Sequence, residues 1–145
     1  MMKISKLKII LDTNVLLVAL PSFSPYRLIF DKLIDGDYDF FISNEILTEY
    51  EEIISIRYDK QTVKELFELF LILPNVKKIE TYFRWRLIAN DPDDDKFVDA
   101  AVSANIDYLV TNDRHFDILK YVDFPKITVC KADDFKMMLS EGGKT

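Results

Sequence analysis

Acidic residues stand directly behind two of the most apolar segments of the chain. Asp12 follows the run 8–11, of sequence KIIL, and Asp113 follows the run 108–111, of sequence YLVT, after one asparagine. A carboxylate beside core-forming residues is costly unless it is solvated, paired or bound to a cation. Mg²⁺ and Mn²⁺ prefer carboxylate and water ligands, so these positions indicate a divalent-cation site.

Glu49 is a further candidate ligand, on a predicted helix. Glu45, Glu49 and Glu52 are spaced by four and three residues and therefore share one helical face. Glu49 lies nearest the apolar stripe that contains Tyr50, so we expect its carboxylate at the buried edge of the helix. Glu51 and Glu52 are expected to face water.

The acid-rich stretch 91–95, of sequence DPDDD, supplies another candidate. It is typical of a turn that leads into a helix, and Asp95 falls in the first turn of that helix. In open parallel sheets, ligands bind beyond the carboxyl ends of the strands, where Asp12 and Asp113 are expected. Acids that converge there would repel one another without a cation. A cation bound in this way can activate water and stabilise charge on a phosphate, so the pattern favours phosphate chemistry.

Short apolar runs alternate with amphipathic segments, which predicts an α/β domain with a mostly parallel sheet. The run 8–11 does not alternate between apolar and polar residues, so its strand is expected to be buried on both faces. Strands are predicted at 8–11, 39–42, 76–79, 108–111 and 127–130. Helices are predicted at 25–35, 44–56, 60–73, 95–105 and 132–139, with caps at Ser24, Ser43 and Asp59 and a stop at Gly36. The segment 80–90 is ambiguous.

The composition is that of one globular domain. The chain has 145 residues, 49% of them hydrophobic and 30% charged, with a net charge of −6 and a pI of about 4.8. This acidic balance disfavours a sequence-reading DNA-binding protein, but not a nucleic-acid enzyme, because bound cations offset clustered carboxylates. We expect one domain at 1–140, a flexible tail at 141–145 and no membrane span. Cys130 is the lone cysteine, which is typical of the reducing cytoplasm.

Three motifs, in this order, resemble the PIN-domain family, in its PilT N-terminus-like branch of VapC-like toxins from toxin–antitoxin systems. They are LDTNVLL at 11–17, ISNEILTEYEEII at 42–54 and DPDDDKFVDAAVSANIDYLVTND at 91–113. The resemblance spans nearly the whole chain. It implies a three-layer α/β/α sandwich with a short, mostly parallel central sheet, and the activity of a metal-dependent ribonuclease.

The resemblance also implies roles for individual residues. The family's acidic set falls on Asp12, Glu49, Asp95 and Asp113. These residues would hold Mg²⁺ or Mn²⁺ and catalyse hydrolysis of RNA phosphodiester bonds. The supporting hydroxyl and amide of the last and first motifs fall on Thr111 and Asn14.

Three further acids lie near Asp95 in the same motif. Asp99 stands one helical turn after Asp95, where many members carry a small residue. It is either a fifth acid of the metal site or a solvated neighbour, and both interpretations stay open. Asp93 and Asp94 are expected to serve the turn and the helix cap.

The most basic aromatic stretch lies within the ambiguous segment 80–90. Arg84 and Arg86 flank Trp85, next to Tyr82 and Phe83. Such a composition suits stacking on bases and contact with phosphates, so RNA contact at Arg84, Trp85 and Arg86 is one hypothesis. The alternative is that the rings pack onto the core and the charges are solvated.

The resemblance implies an RNA substrate, a cognate antitoxin and a homodimer. Two other functions remain open at this point. Some metal-dependent phosphatases use an aspartate at a strand end as nucleophile, but they usually need a second aspartate where this chain has Asn14. A non-catalytic PIN-like binding module is the other alternative, and the intact acidic set argues against it.

Overall fold

A parallel sheet of five strands, in the order β3-β2-β1-β4-β5, forms the centre of the protein. The computed structural model describes residues 6–88 and 93–142. The strands are β1 (Lys8–Leu11), β2 (Asp39–Ile42), β3 (Val76–Lys78), β4 (Tyr108–Val110) and β5 (Val129–Cys130). Every neighbouring pair of strands runs parallel, so the predicted parallel sheet is confirmed.

Helices cover both faces of this sheet. Ile9, Ile10 and Leu11 are consecutive on β1 and are all fully buried. Because consecutive strand residues point to opposite faces, both faces must be covered, which confirms the three-layer α/β/α sandwich. The helices are α1 (Thr13–Ala19), α2 (Arg27–Asp35), α3 (Asn44–Arg57), α4 (Lys60–Ile72), α5 (Asp95–Ala104) and α6 (Ala132–Gly142), with a 3-10 helix at Arg114–Tyr121.

The order of the strands sets where a site can form. From β1 the chain builds outward through β2 to β3, and then returns to the other side of β1 to add β4 and β5. The order therefore reverses between β1 and β4, where Leu11 pairs with Val110. Crevices at such reversals, beyond the carboxyl ends of the strands, are the usual ligand sites of open parallel sheets.

The predicted helix ends are confirmed at three positions. The Ser43 side chain accepts a hydrogen bond from the backbone N–H of Ile46 at 3.2 Å and caps α3. The Asp59 carboxylate accepts one from the N–H of Thr62 at 2.7 Å and caps α4. Gly36 ends α2 with a φ of 81°, a left-handed conformation that glycine adopts at little cost.

The start of α2 differs from its prediction. Ser24 was expected to cap a helix that begins at residue 25, but α2 begins at Arg27. The Ser24 hydroxyl oxygen accepts a hydrogen bond from the N–H of Tyr26 at 3.0 Å, and the hydroxyl donates to the carbonyl oxygen of Val18. The serine therefore closes a turn against the end of α1 instead of capping α2.

Several other helices and strands have bounds that differ from the predicted ones. The helix α1 was not predicted, because Val15, Leu16, Leu17 and Ala19 are all buried and leave no polar face to mark a helical period. The strands β3, β4 and β5 are shorter than the predicted runs. The tail was expected from residue 141, but α6 continues to Gly142, and residues 143–145 lie outside the described part.

Across residues 6–88 and 93–142, none of the helices combines the length and apolar character that crossing a bilayer requires.

Candidate metal centre

Asp12 lies at the carboxyl end of β1, at the reversal of strand order. Its backbone N–H donates to the carbonyl oxygen of Val110 at 3.0 Å, and only 5% of the residue is exposed. The hydroxyl of Thr111 donates to Oδ2 of Asp12 at 2.8 Å. Asp12 occupies the N-cap position of α1 but makes no side-chain cap bond, so its carboxylate is not used to begin the helix.

Glu49 reaches the same region from α3. Tyr50, the next residue, donates its hydroxyl to the carbonyl oxygen of Leu11 and so fixes α3 against the end of β1. The Glu49 carboxylate accepts a hydrogen bond from the hydroxyl of Thr13 on Oε2. Its other oxygen, Oε1, lies 2.8 Å from Nζ of Lys96 in a partly buried ion pair. The predicted position of Glu49 at the buried edge of its helix is confirmed, and Glu52 is exposed as expected.

Asp113 follows β4 and is linked to Asp12 through a shared partner. Its backbone N–H donates to the hydroxyl oxygen of Thr111 at 3.0 Å, while that hydroxyl donates to Asp12. The Asp113 carboxylate accepts from the N–H of His115 at 2.9 Å and caps the 3-10 helix. Thr111 therefore bridges the two acids that end β1 and β4.

The electrostatics of Asp12 show that these carboxylates interact. The pKa of Asp12 is raised to about 6, mainly by burial and also by the negative charges of Glu49 and Asp113. The hydrogen bonds from the Thr111 hydroxyl and the Thr13 backbone act in the opposite direction and lower this pKa. An ionised Asp12 is thus stabilised by hydrogen bonds but opposed by burial and by like charge.

Asp95 and Asp99 accept hydrogen bonds from the backbone of the segment before α5, which the sequence did not indicate. Oδ1 of Asp95 accepts from the N–H of Ile88 at 3.0 Å, and Oδ1 of Asp99 accepts from the N–H of Trp85 at 2.9 Å. Both acids therefore tie the irregular segment before α5 to the first two turns of that helix. Asp99 is only 5% exposed, and burial raises its pKa. The expectation that Asp99 could be a solvated neighbour is wrong, because its carboxylate is enclosed beneath this segment.

The remaining predicted residues lie around this centre. Asn14 is exposed on the first turn of α1 and lines a groove of about 500 Å³ with Arg57 and Tyr58. Arg84 and Arg86 are exposed, whereas Trp85 is half-buried.

Three residues near the centre were missed as site candidates by reasoning from the sequence. Asp94 was assigned only to the turn and cap, but it is buried, and its Oδ2 lies 3.3 Å from Nδ1 of His115. One ligand atom each from Asp94, Asp113 and His115 lie within 4.8 Å of one another. Lys96 was not considered at all. These residues lie within two positions of Asp95 or Asp113 in the sequence, which could have marked them as candidates. Sequence adjacency alone does not show which side chains point towards the centre.

The carboxylates of Asp12, Glu49 and Asp113 are the kind of donor that Mg²⁺ and Mn²⁺ prefer. Among residues 6–88 and 93–142, the acidic and histidine groups whose ligand atoms come within 4.8 Å of one another are Asp94, Asp113 and His115, so the structure brings Asp113 into such a group but not Asp12, Glu49 or Asp95. A bound cation would also offset the like charge that raises the pKa of Asp12. Within the described residues, the only histidine near these acids is His115, so the set is dominated by oxygen ligands.

Comparisons with known proteins agree with this architecture. A profile of the PIN-domain family matches residues 8–115. No curated protein matches the chain by sequence.

Solved structures with a similar fold include VapBC2 from Rickettsia felis bound to a DNA fragment from its promoter. That structure has 17% identity and a TM-score of 0.60, over 86% of this chain and 98% of the other. DNA-bound VapBC from Salmonella typhimurium has 16% identity and a TM-score of 0.58, over 87% of this chain and 98% of the other. The protein PAE2754 from Pyrobaculum aerophilum has 16% identity and a TM-score of 0.60, over 93% of this chain and 90% of the other. At these identities the likeness shows a common fold, and with the profile match over residues 8–115 the chain belongs to the PIN-domain family.

Proposed function

We propose that this protein is an endoribonuclease that depends on Mg²⁺ or Mn²⁺ and hydrolyses RNA phosphodiester bonds. The observation that carries the proposal is the buried carboxylate of Asp12, whose pKa is raised to about 6 beside the charges of Glu49 and Asp113. Membership of the PIN-domain family, which consists of nucleases, supports the same conclusion. Strongly perturbed carboxylates in a strand-end crevice are typical of catalytic sites.

Asp12, Glu49 and Asp113, together with Asp95, are the residues that we propose to hold the cation. When bound, it would lower the pKa of an attacking water and stabilise negative charge on the phosphoryl oxygens. Asp95 presents one carboxylate oxygen to the N–H of Ile88, which leaves its second oxygen as the donor in this proposal.

The chain's own hydrogen bonds orient these acids. Thr111 holds one oxygen of Asp12, and Thr13 and Lys96 hold the two oxygens of Glu49. Fixed partners reduce the reorganisation that a carboxylate needs when it acts. Lys96 also places a positive charge beside the acids, where it would attract the phosphate of an approaching RNA strand. Asn14 and Thr111 are the supporting polar residues of the proposal.

The biological role that we propose is that of a toxin in a toxin–antitoxin pair. Two of the similar structures are VapBC assemblies, which supports a cognate antitoxin as a partner of this chain. A homodimer, which rests on the family resemblance, and a cytoplasmic location, which rests on Cys130 being the lone cysteine, complete the proposal. RNA is the substrate class that this role requires.

Cleavage of a labelled single-stranded RNA is the direct test. We expect cleavage with Mn²⁺ or Mg²⁺ and none with EDTA. Glu49→Gln should abolish cleavage, because it removes an anionic donor. The matched control is Glu52→Gln, on the same helix but exposed, which should cleave like the wild type. Cleavage that persists in EDTA or in Glu49→Gln would refute the proposed site.

The same protein samples distinguish the ribonuclease from the two alternative functions, a phosphatase and a non-catalytic binding module. A phosphatase would release phosphate from a small phosphomonoester and leave the RNA chain intact. A non-catalytic module would bind RNA or the antitoxin without turnover under any of the metals. Either result would overturn the proposed ribonuclease.

A further inference from the structure

Three aromatic rings from two distant parts of the chain form one cluster on the surface. The ring centroids of Phe83 and Trp85 are 6.0 Å apart, with an angle of 40° between the ring planes. The rings of Trp85 and Phe124 are also 6.0 Å apart and meet edge to face at 81°. Phe83 is 73% exposed and Phe124 is 82% exposed, so two of the rings offer most of their surface to an outside ligand.

The cluster is attached firmly to α5, the helix that begins at Asp95. The backbone N–H of Trp85 is held by Asp99, and that of Ile88 is held by Asp95. Ile88 is buried in the core and anchors the end of the segment. Trp85 therefore sits on a stretch of backbone that is hydrogen-bonded to α5 at two points, one of which is Asp95, a residue that we propose as a metal ligand.

Exposed basic residues stand next to these rings in sequence, although the whole chain carries a net charge of −6. Arg84 and Arg86 flank Trp85, while Phe124 has the acid Asp123 directly before it and Lys126 two residues after it; all four charged residues are exposed. Neither arginine forms a salt bridge with residues 6–88 or 93–142. Exposed cations next to exposed rings fit a ligand that carries both anionic groups and flat faces.

Arg86 has an unusual backbone conformation, with a φ of 52°. A residue with a side chain rarely adopts this left-handed conformation, and such residues concentrate at functional sites. The conformation occurs between Trp85, which is half-buried, and Leu87, which packs on the core. It leaves the Arg86 side chain exposed next to the rings.

We infer that Phe83, Trp85 and Phe124 form a stacking surface for the unpaired bases of single-stranded RNA, with Arg84 and Arg86 on its phosphates. Aromatic rings stack on any base, and arginines bind the backbone without reading sequence. Bases in a duplex are already stacked on one another, so this surface selects single strands. The inference rests on the proposed ribonuclease function and names the form of RNA that the enzyme takes.

Tryptophan fluorescence tests this directly, because the sequence contains a single tryptophan. The wild-type protein is titrated in EDTA, which prevents cleavage, with a non-self-complementary RNA of about 12 nucleotides. We expect the RNA to quench the emission of Trp85. The same strand made with abasic nucleotides, and the corresponding duplex, should bind at least tenfold more weakly and leave the emission nearly unchanged.

Substitutions separate stacking from simple apolar contact. Phe83→Ala should weaken single-strand affinity by about tenfold, the usual loss when a stacking ring is removed. Phe83→Leu should weaken it almost as much, because leucine keeps apolar area but has no flat face. Leu71→Ala is the control, since Leu71 is 88% exposed on α4 and carries no ring, and its affinity should match the wild type. Equal melting temperatures would show that the variants fold.

The outcomes distinguish this inference from the proposed function. Wild-type affinity in Phe83→Ala, or quenching by abasic RNA equal to that by intact RNA, would overturn the stacking surface even if RNA is cleaved. Wild-type affinity in Phe83→Leu would also overturn it, because apolar area without a flat ring would then be enough to bind the RNA. Stacking without any cleavage in Mn²⁺ would uphold the surface and refute the ribonuclease.

Discussion

The hydroxyl of Thr111 donates a hydrogen bond of 2.8 Å to Oδ2 of Asp12, across the pair of strands at which the sheet reverses its order. This bond lowers the pKa of Asp12, while burial and neighbouring acids raise it. The protonation of Asp12 therefore depends on a balance between burial and like charge, which raise the pKa, and the hydrogen bonds from the Thr111 hydroxyl and the Thr13 backbone, which lower it. Because protons compete with cations for a carboxylate, the bond from Thr111 also affects the pH at which a metal can bind.

Thr111→Val should raise the pH at which the metal site is half-occupied by Mn²⁺. Valine has nearly the shape of threonine but cannot donate, so the pKa of Asp12 should rise above about 6. Isothermal titration with Mn²⁺ between pH 5 and pH 8 would locate the half-binding pH, and we expect it to move upward. Thr128→Val, at an exposed threonine, is the control. A half-binding pH that does not move would exclude Thr111 from setting the charge of Asp12.

Asp12→Asn should be at least as stable as the wild type in EDTA at pH 7.5. The folded pKa of Asp12 is about 6 against an ordinary value of 3.8, so the ionised carboxylate opposes folding by on the order of 3 kcal/mol. Asparagine removes that charge. Urea unfolding would give the difference, and a variant that melts several degrees below the wild type would make Asp12 a structural anchor instead.

The raised pKa of Asp12 also predicts how the stability of the fold changes with pH. Above pH 6, Asp12 is ionised in both the folded and the unfolded chain, so the full cost of its charge is present. As the pH falls from about 6 towards 3.8, the folded state takes up the proton first, and this group's destabilisation disappears. The stability advantage of Asp12→Asn over the wild type should therefore shrink between pH 6 and pH 4. An advantage that stays constant over this range would contradict the raised pKa.

Lys96→Gln should change metal affinity and stability in opposite directions. The ammonium of Lys96 lies 2.8 Å from Oε1 of Glu49 and neutralises part of the acidic centre. Without it, the free energy of unfolding in EDTA should fall by about 1 kcal/mol, because the pair is partly buried. Mn²⁺ affinity should rise, since Glu49 loses a competing cation. Lys64→Gln, at an exposed lysine, should alter neither quantity.

Asp99→Ala and Asp95→Ala should produce different defects. Asp99 holds Trp85 but is not among the proposed ligands, so its loss should raise KM for single-stranded RNA with little change in Mn²⁺ affinity. Asp95→Ala should lose most of both Mn²⁺ affinity and kcat. Steady-state kinetics with parallel calorimetry would measure the two effects. If Asp99→Ala abolished metal binding, Asp99 would be the fifth acid of the site.

Arg86→Gly and Arg86→Ala form a matched pair. Both remove a phosphate contact, so the salt dependence of RNA affinity should fall by about one unit of slope in each. Glycine tolerates a φ of 52°, whereas alanine does not, so Arg86→Gly should be the more stable variant by about 1 kcal/mol. Equal stabilities would show that the left-handed backbone at Arg86 carries no strain.

Reasoning from the sequence succeeded where one local pattern decided the structure. The unbroken apolar run of β1 predicted a strand covered on both faces, and Ser43 and Asp59 predicted the starts of α3 and α4. The spacing on α3 also placed Glu49 at the buried edge. At the two helix starts, a side-chain bond to an N–H three residues away fixes the end of the element, so the local pattern is enough to predict it.

The failures have a common physical origin in contacts between distant segments. The helix α1 packs most of its apolar residues into the core, and the exposed residue Val18 is also apolar, so its sequence shows no helical period. The hydrogen bond that Asp99 accepts comes from Trp85, 14 residues away, in a segment that has no periodic pattern. Phe124 joins Phe83 and Trp85 only through the fold, and nothing in its own neighbourhood indicates a base-stacking role.

The pairing of β1 with β4 determines when the candidate metal centre can form during synthesis. The bond between Asp12 and Thr111 closes a loop of 99 residues, and Asp113 lies beyond it. Contacts with such a separation in sequence form late in folding, because the chain must give up much entropy to close them. A ribosome that has released only the first half of this protein has released no assembled acidic centre. The strand order thus delays the assembly of the candidate metal centre until Thr111 and Asp113 have been synthesised, and the ribonuclease that we propose would be inactive until then.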